Sequence, residues 1–314
     1  SSAASDVYKR QTDDSVYEGN ETATIAVSGV SGGSASESGT QTVTITITDN
    51  ESAPTVSLST SASTVAEKGG GSITITATAS VATYEDISVP ISTSGSGTGY
   101  ATEGTDYSTI SDITISAGAT TGTASFTPTD DSVYEGNETG IVAISTVSGG
   151  SATEDGTQSE TITITENDSA PTVTLSSSAS SINENSGSTL TLTATLSNAT
   201  TADVTVSLGT SGTGTEGTDY ATISDITISA GSTTGTASFT PTDDNVYEGN
   251  ETGIVAIDTV SGGSANESGT PQVVTITITE NESAPTVTLA TSATSIAENA
   301  GSVSYTHLTL PTKA

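Results

Sequence analysis

One ten-residue phrase occurs three times in this chain. Asp13-Asp14-Ser15-Val16-Tyr17-Glu18-Gly19-Asn20-Glu21-Thr22 returns at Asp130–Thr139 and, with Asn245 in place of the serine, at Asp243–Thr252. The tyrosines Tyr17, Tyr134 and Tyr247 are spaced by 117 and then 113 residues. A second marker keeps nearly the same step: Ala53-Pro54-Thr55-Val56, Ala170-Pro171-Thr172-Val173 and Ala284-Pro285-Thr286-Val287. A fixed period of this length means a tandem array of domain-sized modules, so fold and function have to be read per repeat. The markers place complete modules at 53–168 and 169–283, the C-terminal part of an earlier module at 12–52, and the start of a later one at 284–302.

The two ends read as foreign to this array. Ser5–Gln11 translates the DNA string TCAGATGTGTATAAGAGACAG, and Val303–Leu308 translates its reverse complement. That string is a transposase adapter of sequencing libraries, so residues 1–11 and 303–314 are expected to be translated adapter and the rest an internal piece of a longer gene. The one histidine, His307, and three of the four basic residues, Lys9, Arg10 and Lys313, fall in those ends.

The remaining 12–302 carries 36 acidic residues against one base, Lys68, a formal charge of −35, whereas the whole chain is at −33. Such a surface repels nucleic acid and anionic membranes. Salt bridges cannot neutralise clustered acids here, so cations from solution must do so. There is no cysteine, hence no disulfide staple. The same composition argues against catalysis: between the adapter-like ends there is no histidine or cysteine, and nothing sets two carboxylates across a pocket.

Within each repeat the pattern is strand after strand. Thr44–Thr48, Ile73–Ala77, Leu190–Ala194 and Thr275–Thr279 alternate apolar and polar residues with period two, which puts Ile or Leu inside and Thr on the wet face. No window sustains a helical period, and glycine clusters such as Gly149-Gly150 and Gly262-Gly263 separate the runs. The expectation is an all-β chain: tandem Ig-like antiparallel β-sandwich modules of about seven strands, arranged end to end with short Pro-stiffened junctions. Phe126 and Phe239 read as core residues, Tyr134 and Tyr247 as core or corner residues.

Three features together resemble the Calx-beta domain: Gly-Thr-Asp-Tyr at Gly104–Tyr107 and Gly217–Tyr220, the Asp-Asp-x-x-Tyr-Glu-Gly-Asn-Glu phrase, and a closing Thr-Ile-Thr-Ile-Thr followed by acids. The resemblance covers essentially all of 12–302. It implies a calcium-binding sandwich whose loops at one pole supply the ligands, and modules of this kind occur in arrays in large bacterial surface and secreted proteins.

Calcium takes six to eight oxygen ligands, many of them carboxylate. The candidate ligands in the first complete module are Glu67, Asp106, Asp130, Asp131, Glu135, Glu166 and Asp168. In the second they are Glu184, Asp219, Asp243, Asp244, Glu248, Glu280 and Glu282. The leading piece offers Asp13, Asp14, Glu18, Asp49 and Glu51, the trailing piece Glu298 alone. Glu138 and Glu251 read as surface residues, and Asn137 and Asn250 sit in Asn-Glu-Thr glycosylation patterns. The closing acids are interrupted by Asn50, Asn167 and Asn281, where the family often has a run of aspartates, which favours one calcium site per module.

Two carboxylates about 4 Å apart repel by roughly 4 kcal/mol at an effective dielectric near 20, so converging acids need a counter-ion. The implied function is a calcium-rigidified extracellular spacer or stalk of a large adhesin-like surface protein, prokaryotic in origin. Its partners would be calcium ions, the neighbouring modules and a distal adhesion ligand. The alternatives are a calcium-sensing regulatory module of a membrane protein, or accessory modules of a secreted enzyme.

Overall fold

The computed structural model describes residues 12–95, 97, 99–269, 271–289, 295, 297 and 298. The adapter-like ends and most of the trailing module start lie outside the described residues. The chain divides into two compact units, residues 1–169 and 170–314.

In the first unit a leading piece contributes β1 (Val16–Tyr17), β2 (Glu21–Ala26) and β3 (Thr42–Ile47). The complete module follows with β4 (Thr55–Thr60), β5 (Thr64–Ala66), β6 (Ile73–Ala79), β7 (Ala82–Thr83), β8 (Ile87–Val89), β9 (Ile91–Ser94), β10 (Ile113–Ile115), β11 (Thr121–Phe126), β12 (Val133–Tyr134), β13 (Glu138–Ile144), β14 (Thr153–Glu154) and β15 (Ser159–Thr165). One sheet runs β11-β6-β4-β14; the other runs β5-β15-β13-β9, with β10 and β8 paired beside them. The all-β sandwich expected from the alternation is what forms, although short two- and three-residue pieces raise the strand count above seven.

Its strands are not purely antiparallel. The first strand region is split after Thr60: β4 stays in one sheet, while β5 crosses to the other and lies parallel to the last strand, Thr64 opposite Thr163 and Ala66 opposite Thr165. β14 also pairs in parallel with β4. The crossing matters for function, because it carries Glu67 to the end where the last strand terminates in Glu166.

The core follows from the period-two pattern. Along β6, Ile73, Ile75, Ala77 and Ala79 are buried while the intervening threonines face outward or lie half-buried. Val56, Leu58, Val142 and Ile162 meet them in one apolar cluster, closed by Phe126. Tyr107 stacks on Phe126 with ring centroids 4.4 Å apart.

The tyrosine expectation is corrected here. The core tyrosines are Tyr107 and Tyr220, each 1% exposed, and not Tyr134 and Tyr247; Tyr134 is half-buried and Tyr247 is 46% exposed. The acid phrase forms only a short edge segment or a turn, so its tyrosine has no opposing sheet to enter. The tyrosine of Gly-Thr-Asp-Tyr follows a tight loop and drops between the two sheets.

The second unit repeats the plan with β16 (Thr172–Ser177), β17 (Ser181–Asn183), a 3-10 turn at Glu184–Ser186, β18 (Leu190–Leu196), β19 (Ala199–Thr200), β20 (Val204–Gly212), β21 (Ile226–Ile228), β22 (Thr234–Phe239), β23 (Glu251–Ser261), β24 (Asn266–Glu267) and β25 (Val273–Thr279). Its sheets are β22-β18-β16-β24 and β17-β25-β23-β20-β21. The single β20 replaces β8 and β9. Pro90 breaks the strand in the first module, since proline has no N–H for the ladder. Ser207, at the matching position, keeps the strand whole but with a register shift between Ser207 and Leu208.

The leading piece differs from both. β2 and β3 form an antiparallel hairpin, Glu21 opposite Ile47, but its apolar side chains stay exposed: Ile25 57%, Val27 46%, Val43 62% and Ile45 45%. β1 pairs in parallel with β7, Val16 opposite Ala82 and Tyr17 opposite Thr83, so the leading acid phrase sits on the complete module.

Close packing makes one glycine testable. A Cβ at Gly253 would come within 2.6 Å of the Phe239 ring. Gly253→Ala is expected to cost about 1–3 kcal/mol by overpacking. Calorimetry should show the transition of the second module moving down by several degrees while that of the first stays in place.

Candidate metal centres

Each complete module brings its acids together from loops far apart in sequence. Glu67 follows β5, Asp130 and Asp131 precede β12, Glu135 follows it, Glu138 opens β13, and Glu166 and Asp168 follow β15. Asp106 is held by its neighbour: Tyr107 is fixed in the core, and the Asp106 carboxylate accepts the N–H of Thr102 at 2.5 Å. In the second module Asp219 accepts the N–H of Thr215 at 2.6 Å.

These acids form two groups per module. Glu67, Asp131 and Asp168 make one, with one ligand oxygen from each within 4.8 Å of the others; Asp106, Glu135 and Glu138 make another. The second module has Glu184, Glu280 and Glu282, and Asp219, Glu248 and Glu251. Glu138 and Glu251, which the sequence placed on the surface, are half-buried members of these groups. The signal for them lies in the phrase itself: Glu135 and Glu138 flank a Gly-Asn turn in which Gly136 has φ +77°, and this reversal turns both carboxylates the same way.

Four candidates take other positions: Asp130, Asp243, Asp244 and Glu166. Asp130 lies against the single retained base, 3.1 Å from Lys68 Nζ, in an exposed pair that contributes little stability. Asp243 and Asp244 are outside the groups; Asp244 instead accepts the N–H of Val246 at 2.6 Å, the same local turn that Asp131 makes with Val133 at 2.7 Å.

Glu166 is a clamp rather than a member of the first module's groups. Its Oε2 accepts the N–H groups of Glu135 and Gly136 at 2.7 and 2.9 Å, and its Oε1 those of Asn167 and Asp168 at 2.9 and 2.7 Å. Burial works against its charge, but these four donors hold its carboxyl below the usual range. Glu280 repeats the clamp on Glu248, Gly249, Asn281 and Glu282, and the N–H groups of Glu248 and Glu282, then the Glu282 side chain and the Gly249 N–H, bring it down to about 2. Asp49 clamps Glu18 and Gly19 in the leading piece. The phrase's asparagine completes the latch: Asn137 Oδ1 accepts the N–H of Glu166 at 3.0 Å, and Asn250 that of Glu280 at 3.1 Å.

The acids so gathered are strained as anions. Burial, then Asp106 and Asp131, push Glu135 up to about 7; burial, then Asp106 and Glu135, push Glu138 up to about 8. Burial also raises Glu67 and Glu184. Asp168 Oδ2 and Glu282 Oε2 are buried without a hydrogen-bond partner. An orphaned carboxylate oxygen inside an all-oxygen acidic group suits a hard cation such as calcium, so the residues fit that ion.

Fold and site together define a tandem array of β-sandwich modules with acid-lined loops. The Calx-beta domain model matches residues 10–51, 49–168 and 166–282, and the chain belongs to the Calx-beta domain family. Among solved structures, the chain is similar to CBD12 from CALX1.2 at 16% identity, covering 71% of this chain and 100% of that one with a TM-score of 0.31. It is similar to the apo-form Calx CBD1 domain at 17% identity, covering 36% and 99% with a TM-score of 0.30. It is also similar to the Yersinia pseudotuberculosis adhesin InvE at 12% identity, covering 71% and 58% with a TM-score of 0.31. Among curated proteins none matches the chain.

The raised carboxyls set a pH dependence. Glu135 and Glu138 hold protons in the folded chain at pH values where the unfolded chain has released them. In chelator, the stability of the first module should therefore fall as pH rises from about 4.5 through 8. Calorimetry in chelator across that range is the measurement, and Glu138→Gln should flatten the slope. A melting temperature that rises over the same interval would contradict it.

Proposed function

We propose that this chain is a calcium-binding structural array, a calcium-stiffened spacer of a large adhesin-like protein at the cell surface or outside the cell. The observation that supports it most is the pairing of acid groups with orphaned oxygens in both complete modules: Asp168 Oδ2 beside Glu67 and Asp131, and Glu282 Oε2 beside Glu184 and Glu280. Among the described residues the geometry gives a salt bridge, Lys68–Asp130, and it does not reach Glu67, Asp131, Asp168, Glu184, Glu280 or Glu282. A divalent ion supplies balancing charge and occupies the lone pairs left without donors.

The ligands are Glu67, Asp131 and Asp168 at one position and Asp106, Glu135 and Glu138 at the other, with Glu184, Glu280, Glu282 and Asp219, Glu248, Glu251 in the second module. Glu166 acts as the clamp that sets the loops, and Glu280 combines clamp and ligand. Two groups per module favour more than one ion, against the single site expected from the asparagine-interrupted closing acids.

Stiffening follows from where the acid phrase sits. In the leading piece, Asp14 Oδ1 accepts the N–H of Val16 at 2.9 Å, and Val16–Tyr17 is the strand paired with β7 of the complete module. Ordering the acids of such a phrase orders the strand that docks on the next module. A spacer uses this coupling as stiffness. The module boundaries at 53–168 and 169–283 are part of this reading. No described helix is long and apolar enough to cross a membrane.

Calorimetric titration of the full chain with calcium tests the proposal. The expectation is saturable binding, and a stabilisation of about 2.7 kcal/mol per site at a hundredfold excess over the dissociation constant, reversed by chelator. No heat and no change in melting would overturn it. Glu166→Gln should weaken calcium binding to the first module by about 10–100-fold by loosening the loop that presents Glu135 and Asp168, while sparing the second.

A further inference from the structure

Glu103 and Glu216 are half-buried glutamates that join neither acid group of their modules. Each stands immediately before a Gly-Thr-Asp-Tyr loop, and each has both oxygens taken up by the protein. Glu103 Oε2 accepts the hydroxyl of Thr93 at 2.6 Å, and its Oε1 accepts the N–H of Ile110 at 2.9 Å. Glu216 holds Thr210 and Ile223 in the same way, each at 2.7 Å. The threonine is also hydrogen-bonded to the buried tyrosine of the loop, Tyr107 in one module and Tyr220 in the other. Glutamate, threonine and tyrosine thus form a chain with a charged acceptor at its head, which strengthens the bonds behind it.

This chain frames the loop that presents Asp106. The N–H that Asp106 Oδ2 accepts belongs to Thr102, the residue before Glu103, and Tyr107 follows Asp106 directly. Gly104 N–H closes the loop on the Tyr107 carbonyl at 2.7 Å. Thr93 lies in β9 opposite Val142 of β13, the strand that opens with Glu138. Thr210 of β20 lies opposite Val255 of β23, which opens with Glu251. The glutamate therefore ties the loop that carries one acid of the group to the sheet that carries another. The bonded residues are ten apart in the first module and six apart in the second, so the contact is kept although the connecting segment differs in length.

We propose that Glu103 and Glu216 are positioning residues for the groups Asp106, Glu135, Glu138 and Asp219, Glu248, Glu251, fixing the aspartate loop on the sheet so that its carboxylate meets the two glutamates. The proposal rests on the calcium reading given above. These two glutamates touch no ion; they act through the threonine, the tyrosine and the loop backbone.

Calcium titration of the full chain carrying Glu103→Gln, Thr93→Val or Glu216→Gln tests this, with calorimetric melting followed for each module. Thr93→Val keeps every charge and removes the hydroxyl that Glu103 holds, which separates positioning from the loss of a nearby negative charge. In Glu103→Gln and in Thr93→Val, the calcium concentration at which the melting transition of the first module begins to rise is expected to increase about tenfold, while that of the second module stays in place. Glu216→Gln should do the reverse. A variant whose melting drops in chelator while its calcium threshold is unchanged would show a purely structural role and overturn the proposal. So would a Thr93→Val chain that binds like the wild type, which would leave the calcium reading standing. A wild-type chain that binds no calcium would overturn that reading and this proposal together.

Discussion

Crowding of carboxylates is the constraint on which the rest of this molecule depends. Six acids per complete module are gathered into two groups while the described residues supply one lysine, and that lysine holds Asp130 outside them. Repulsion of this size would splay ordinary loops. The fold resists it with backbone dipoles: Glu166 and Glu280 each draw four N–H groups onto one carboxylate and so fix the loop that presents their neighbours. Charge left over is held as protons on Glu135 and Glu138 or exchanged for a cation. Stability and ion binding are thus two readings of one electrostatic balance.

The sandwich exists to hold that balance in place. β5 crosses between sheets to run parallel to β15, which sets Glu67 beside Asp168 although a hundred residues separate them. Tyr107 and Tyr220, stacked on Phe126 and Phe239, anchor the loops that carry Asp106 and Asp219. Rigid elements deliver the carboxylates; the loops supply only the last few ångströms. The acid phrase also joins site to junction, since its strand in the leading piece pairs with β7. On the reading proposed above, a cation bound there would act on the contact between the leading piece and the complete module with no separate transmitting element.

Much of this was legible in the chain. The period-two runs state the strands, because threonine and isoleucine can alternate only across a surface with one wet face. The thrice-repeated phrase states the modules. Of the candidate ligands, Glu67, Asp106, Asp131, Glu135 and Asp168, with Glu184, Asp219, Glu248, Glu280 and Glu282, fall in the observed groups. Spacing did not reveal that Glu138 turns inward across Gly136, that Asp130 turns away to Lys68, or that Glu166 spends its oxygens on backbone donors. Adjacent acids such as Asp130 and Asp131 have the same chemistry in sequence, yet one pairs with Lys68 and the other joins Glu67 and Asp168.

The sequence by itself determined the repeat, the strand pattern, the absence of disulfides and an acid load that its own bases cannot balance, since these are properties of order and composition. Tertiary structure alone decided which oxygens meet. That depends on strand crossing and on which tyrosine drops into the core, and both are set by packing between segments distant along the chain.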